Sequence, residues 1–108
     1  MTEKQFIPYI LHKNGIYRQC IKATEEMSEL TYVLARYNFD GEFDREHLAE
    51  EVSDVVLMMR ELAEAFDISD LEIEERIQGK INRYCGYEQK GVKSFARENE
   101  SLEHTAEG

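Results

Sequence analysis

The sequence predicts an all-α fold: a helical hairpin plus a third helix, assembling into a four-helix-bundle-type oligomer. Composition is the first reason. Proline occurs once and tryptophan not at all, while Glu, Leu, Ala, Ile and Arg are plentiful, a mixture weighted towards helix. Spacing is the second, because three segments repeat apolar residues at three- and four-residue steps, the period of one helix face. The third is Val55-Val56-Leu57-Met58-Met59, a stretch that is apolar on every side. A helix of that kind is buried all round, and three helices of a 108-residue chain cannot cover it. Neighbouring subunits are the expected cover, since large bare apolar patches are uncommon on monomers. A homo-oligomer, dimer or tetramer, follows as the expectation.

The elements can be placed in order. Residues before Asn14 contain Pro8 and form either a short helix or an arm. From about Ile16 to Tyr37, Ile16, Cys20, Ala23, Met27, Leu30 and Leu34 make one stripe. Asn38-Phe39-Asp40-Gly41 stops it, because Asn and Gly tolerate the left-handed conformation that closes helices. Asp44 is the N-cap of a second helix, Arg45 to Phe66, with Leu48, Val52, Val55, Met59, Leu62 and Phe66 in register. Ser69 with Glu72 is a capping-box pattern for a third, Asp70 to Tyr84, striped by Ile73, Ile77, Ile81 and Tyr84. One helical domain over residues 1–87, with its core at 16–84, is therefore expected, followed by a polar, partly mobile tail at 88–108.

Composition also limits function. The chain carries 23 acidic and 13 basic residues, a formal charge of -10, which repels a nucleic-acid backbone and argues against nucleic-acid binding. A small polyanion screened by a divalent metal is still admissible. No apolar run is long enough to span a bilayer, and the N-terminus has no signal-peptide pattern. Cys20 and Cys85 stand far apart without CxxC spacing, which reads as reduced thiols in a cytoplasmic protein.

Two segments share one grammar. Ala23-Thr24-Glu25-Glu26-Met27-Ser28-Glu29-Leu30 aligns with Leu48-Ala49-Glu50-Glu51-Val52-Ser53-Asp54-Val55 at a shift of 25 residues. On a helical wheel, Glu26 and Glu51 fall roughly 60° to one side of their apolar stripes, and Glu29 and Asp54 roughly 120°. An i, i+3 acid pair thus lies half inside the flank of each helix, and antiparallel packing lets the pairs converge into a four-carboxylate cup. A single ExxE is usually only a solvated face, but two on equivalent flanks of adjacent helices are much less casual. Four acids at a half-buried seam repel one another without a cation. All-oxygen ligation suits Mg²⁺ or Mn²⁺ better than zinc, and Mg²⁺ also accepts water and phosphate oxygens. Glu25 and Glu50 lie further round, towards solvent.

Cations complete the pattern. Lys80 and Arg83 sit on the flank of the third helix that corresponds to the acid side of the other two. There they suit phosphate contacts, although cations near a helix C-terminus also compensate its dipole. Gln19 and Lys22 precede Glu26 on its own flank and are candidate contacts to sugar or phosphate. Tyr37, Phe39 and Phe43 offer stacking surfaces for a base, although aromatics at helix ends more often act as hydrophobic staples.

Glu26-x-x-Glu29, 21 intervening residues, Glu51-x-x-Asp54 and then Lys80/Asn82/Arg83 resemble the MazG-like all-α nucleoside triphosphate pyrophosphohydrolase superfamily. That group includes dimeric dUTPases and phosphoribosyl-ATP pyrophosphohydrolase, and the likeness covers roughly Ile16 to Tyr84. The resemblance implies an oligomer of four-helix bundles that hydrolyses (d)NTP to (d)NMP and pyrophosphate, with nucleotide-pool house-cleaning as one role. It implies Mg²⁺ on Glu26, Glu29, Glu51 and Asp54, phosphate contacts from Lys80 and Arg83, and Glu26 or Glu29 as general base. Tyr84-Cys85-Gly86 lacks the Tyr-Pro found after the basic cluster in some members. A phosphoribosyl-ATP pyrophosphohydrolase and a non-catalytic helical interaction module are the rival expectations.

Overall fold

The computed structural model describes residues 1–91, with side chains described through Gly86. Four helices follow one another: α1 (Glu3–Asn14), α2 (Ile16–Asp40), α3 (Arg45–Ala65) and α4 (Asp70–Gly91). The chain divides into two compact units, Met1–Ser69 and a second beginning at Asp70. The expected tail at 88–108 lies almost wholly outside the described residues.

The N-terminal segment, open between helix and arm in the sequence, is a helix. Thr2 caps it: its hydroxyl accepts from the Gln5 amide at 3.2 Å, and its own N–H donates to Gln5 Oε1 at 2.9 Å. That reciprocal pair satisfies two donors a helix start leaves open. Pro8 lies inside α1, where it removes one backbone bond. Half-burial of Phe6, Ile7, Ile10 and Leu11 offsets that loss, because α1 packs on both α2 and α3. Arg60 of α3 also reaches Glu3 at 2.6 Å.

Gly15 is the whole connection between α1 and α2. Its φ of 83° with ψ of 157° is a conformation almost reserved for glycine. Its N–H closes α1 on Leu11 at 2.9 Å, and its carbonyl accepts from Gln19 at 3.2 Å to start α2. The α2–α3 connection behaves as its sequence predicts. Helix α2 runs to Asp40, three residues beyond the expected Tyr37, Gly41 closes it in the left-handed conformation at φ 70°, and Asp44 accepts from the His47 amide at 3.1 Å. Tyr37 and Phe43 pack edge to face across this turn, 5.3 Å between centroids, so these aromatics staple the hairpin.

The end of α3 carries a signal the sequence hides. Asp67 takes φ 54°, while Ile68 N–H donates to Ala63 at 2.8 Å and Asp67 N–H to Glu64 at 3.3 Å. This is the double-bonded Schellman closure, with aspartate where glycine is usual. Helix α4 begins directly after Ser69, as expected, but passes through Gly86 to Gly91. An interior glycine weakens a helix by about 0.5–1 kcal/mol and does not by itself end one.

The helices α2 and α3 form an antiparallel hairpin: Gln19 meets Glu61, and Glu26 lies near Asp54 and Glu51. The buried seam is not centred on the apolar stripes. Among the described residues Gln19, Ala23, Glu51, Met58 and Glu61 are buried, while Met27, Leu34, Val52, Val56 and Met59 are about 40% exposed. Each helix is turned towards its acid flank, because α1 and the facing helix cover that side. No helix among the described residues is long and apolar enough to cross a membrane.

Gly15→Ala should therefore destabilise the protein by about 1–3 kcal/mol through backbone strain, since open space surrounds the position. Gly79→Ala, within α4 and equally unobstructed, should stabilise by about 0.5–1 kcal/mol. Urea unfolding of the two variants checks both signs.

Candidate metal centre and adjoining cavity

Three of the four predicted acids come together. One carboxylate oxygen each from Glu26, Glu51 and Asp54 lies within 4.8 Å of the other two. The side chains of Glu26 and Glu51 are 14% and 11% exposed, whereas Asp54 is on the exposed side. Glu29 is exposed and outside the cluster, so the half-buried position expected for it is not found. An i+3 step from Glu26 carries it about 60° round the helix, away from the buried Gln19/Ala23 face.

Each buried acid is held on one oxygen only. Lys22 Nζ approaches Glu26 Oε1 at 3.5 Å, and His47 Nε2 approaches Glu51 Oε1 at 3.3 Å, both at i, i+4 spacing. The other oxygens, Glu26 Oε2 and Glu51 Oε2, are buried without a hydrogen-bond partner. Leaving such atoms unpaired costs several kcal/mol in order of magnitude.

A hard divalent cation fits this donor set. All donors are carboxylate oxygens, the choice of Mg²⁺ or Mn²⁺. Opposite ligands of Mg²⁺ stand about 4.2 Å apart, from bonds of about 2.1 Å, so small side-chain rotations bring the 4.8 Å cluster into range. Glu26, Glu51 and Asp54 are the residues that can hold the ion.

The cluster opens onto a cavity of about 140 Å³ that shares Glu26 and Asp54 with it and includes Lys22. Phe6, Ile10, Leu57 and Met58 supply its apolar lining. Its remaining lining is a polar chain. Asn14 Nδ2 donates to Gln19 Oε1 at 2.9 Å, and Gln19 Nε2 donates to Glu61 Oε1 at 2.6 Å. Gln19 and Glu61 are 1% and 2% exposed. Gln19, expected to touch a ligand, thus spends its amide on two protein partners.

Two residues of this region escaped the sequence reading, and both had a signal. His47 stands to Glu51 as Lys22 stands to Glu26, at the same 25-residue shift. Glu61 lies seven residues beyond Asp54, two helical turns along the same flank. Lys80 and Arg83 are exposed residues of α4, in the second unit. Arg76 is paired with Glu72 at 3.0 Å, and Gln78 donates to Asn82 at 3.0 Å.

No family model matches the chain, and no curated protein or solved structure matches it significantly.

Metal removal tests the centre. Wild-type protein in EDTA should gain about 2.7 kcal/mol of stability when Mg²⁺ or Mn²⁺ reaches a hundredfold excess over Kd. A Glu26→Gln/Glu51→Gln double variant should be more stable than wild type in EDTA and should not respond to either ion. Thermal unfolding reads both effects.

Proposed function

We propose that the protein is a Mg²⁺-dependent nucleoside triphosphate pyrophosphohydrolase of the MazG-like kind, releasing nucleoside monophosphate and pyrophosphate. One observation carries this reading: two buried, partnerless carboxylate oxygens on facing helices, with Asp54 beside them and a cavity adjoining. The sequence pattern adds the triphosphate, which the metal would present to water.

Glu26, Glu51 and Asp54 would hold the ion. When bound, it supplies Lewis-acid polarisation of phosphoryl oxygens and makes neighbouring water more acidic. The structure favours a division of labour between the two candidate bases. Glu26 turns an oxygen into the seam, whereas Glu29, exposed one turn on, is free to accept a proton from the attacking water. In-line attack at the α-phosphorus then expels pyrophosphate. Lys22, half exposed and on the cavity, would be placed to meet a phosphate oxygen there. Lys80 and Arg83 enter this reading through the sequence pattern alone.

The enzyme would work as a homo-oligomer, dimer or tetramer. Met27, Leu34, Val52, Val56 and Met59 are apolar side chains that the hairpin leaves about 40% exposed, and a second copy is the cover we propose for them.

Pyrophosphate release from a panel of triphosphates, with phosphoribosyl-ATP beside them, tests the chemistry. Glu51→Gln and Asp54→Asn should abolish Mg²⁺-dependent turnover. Glu29→Gln should lower kcat about 10²–10⁴-fold while keeping the metal-induced stabilisation. Full activity in all three variants overturns the proposal. In sedimentation velocity the wild type should run as an oligomer that Val52→Glu weakens; a wild-type monomer at tens of micromolar would refute the assembly.

A further inference from the structure

The Asn14–Gln19–Glu61 chain has a polarity fixed by chemistry. A carboxylate only accepts, so the NH₂ end of Gln19 must face Glu61. Its carbonyl end must then face Asn14, which can answer only with its own NH₂. The one-residue turn at Gly15 brings Asn14 and Gln19 close enough for this bond. What the chain leaves over is acceptor-rich: the second oxygen of Glu61 and the Oδ1 of Asn14, both on residues that line the cavity.

The cavity takes more than an ion. At roughly 30 Å³ for each water in the liquid, about 140 Å³ holds on the order of five waters, room for a small flat ring rather than a single atom. Phe6, Ile10, Leu57 and Met58 give such a ring apolar faces, and Glu26 and Asp54 join the cavity to the acid cluster.

We propose that this cavity is a nucleobase subsite selecting bases with an exocyclic amino group, cytosine or adenine, over their oxo counterparts, uracil or hypoxanthine. The inference rests on the hydrolase reading above and names its substrate class. An amino N–H brought to Glu61 completes a charge-assisted hydrogen bond in a dry setting. A carbonyl oxygen at the same place sets acceptor against acceptor and leaves both groups unpaired. A surface role for the chain is unattractive, because Gln19 and Glu61 are almost wholly buried.

Two matched pairs differ by this one group: dCTP with dUTP, and dATP with dITP. In wild type, kcat/KM should favour the amino member of each pair by about 10- to 100-fold. Glu61→Gln, which can turn an N–H towards the base, should collapse or invert both ratios. Wild-type ratios near one, or ratios unchanged by the substitution, overturn the proposal, and the wild-type ratio decides even where the variant does not fold. Calorimetry of dCMP against dUMP in EDTA reads the subsite apart from turnover. Tighter binding of dCMP supports it, and equal or absent binding of both overturns it, whatever the hydrolysis assay shows. Absence of turnover with every triphosphate, beside selective dCMP binding, would sink the hydrolase reading and leave the subsite standing.

Discussion

The hydrogen bond from Gln19 to Glu61 sets the terms for the rest of the first unit. It joins the N-terminal part of α2 to the C-terminal part of α3, so it fixes both the antiparallel sense and the register of the hairpin. A slip of α3 by one residue would turn Glu61 by about 100° and strand a carboxylate in an apolar seam. Hydrogen bonds to ionised partners contribute about 1.5–3 kcal/mol, and burying the acceptor unpaired costs more. With that register held, seven residues further along α2 brings Glu26 opposite Asp54 and Glu51. The acid cluster thus depends on a polar contact about two helical turns away.

Such a seam limits what the chain can bury. Among the described residues the buried apolar side chains are Ala23 and Met58, a thin core even for a small unit. Helix α1 supplies part of the remainder by laying Phe6 and Ile10 beside Leu57 and Met58. One edge of each apolar stripe, Met27 and Leu34 on α2 and Val52 and Met59 on α3, is left outward in exchange. Burial of Glu26 and Glu51 and exposure of Met27 and Val52 have a single origin, the rotation of both helices about their axes.

This explains what was legible in the sequence. Helices, caps and the 25-residue repeat depend on near neighbours, so Asp44, Gly41 and the pairing of Glu26 with Glu51 could be read directly. The rotation could not. A wheel drawn around Met27 and Val52 assumes that the apolar stripe faces the partner helix. On that assumption Glu29 belongs inside with Glu26; in the structure Gln19 and Glu61 occupy the seam and Glu29 lies outside. Helix α1 was open for a related reason: Pro8 argues locally against a helix, and the surfaces that outweigh it belong to α2 and α3. Asp67 shows the same limit, since a left-handed aspartate carries no signal beyond its place after α3.

The two side-chain contacts at the cluster sharpen the case for a cation between the helices. Lys22 and His47 lie on the same helices as the acids they touch, four residues back, with side chains about half exposed. Pairs so exposed contribute on the order of 0–1 kcal/mol. Each also engages the Oε1 atom, while the partnerless oxygen on either acid is Oε2. Neither Lys22 nor His47 relieves the buried atoms, and each would have to abandon its present contact to do so. A group that satisfied Glu26 Oε2 and Glu51 Oε2 together would bridge α2 and α3, beside Asp54 and at the edge of the cavity. A small ion that accepts several oxygens at once meets that demand without displacing Lys22 or His47. Lys22 keeps its contact with Glu26 Oε1 while remaining about half exposed on the cavity, so the cluster joins a buried acidic seam to a basic group at its edge.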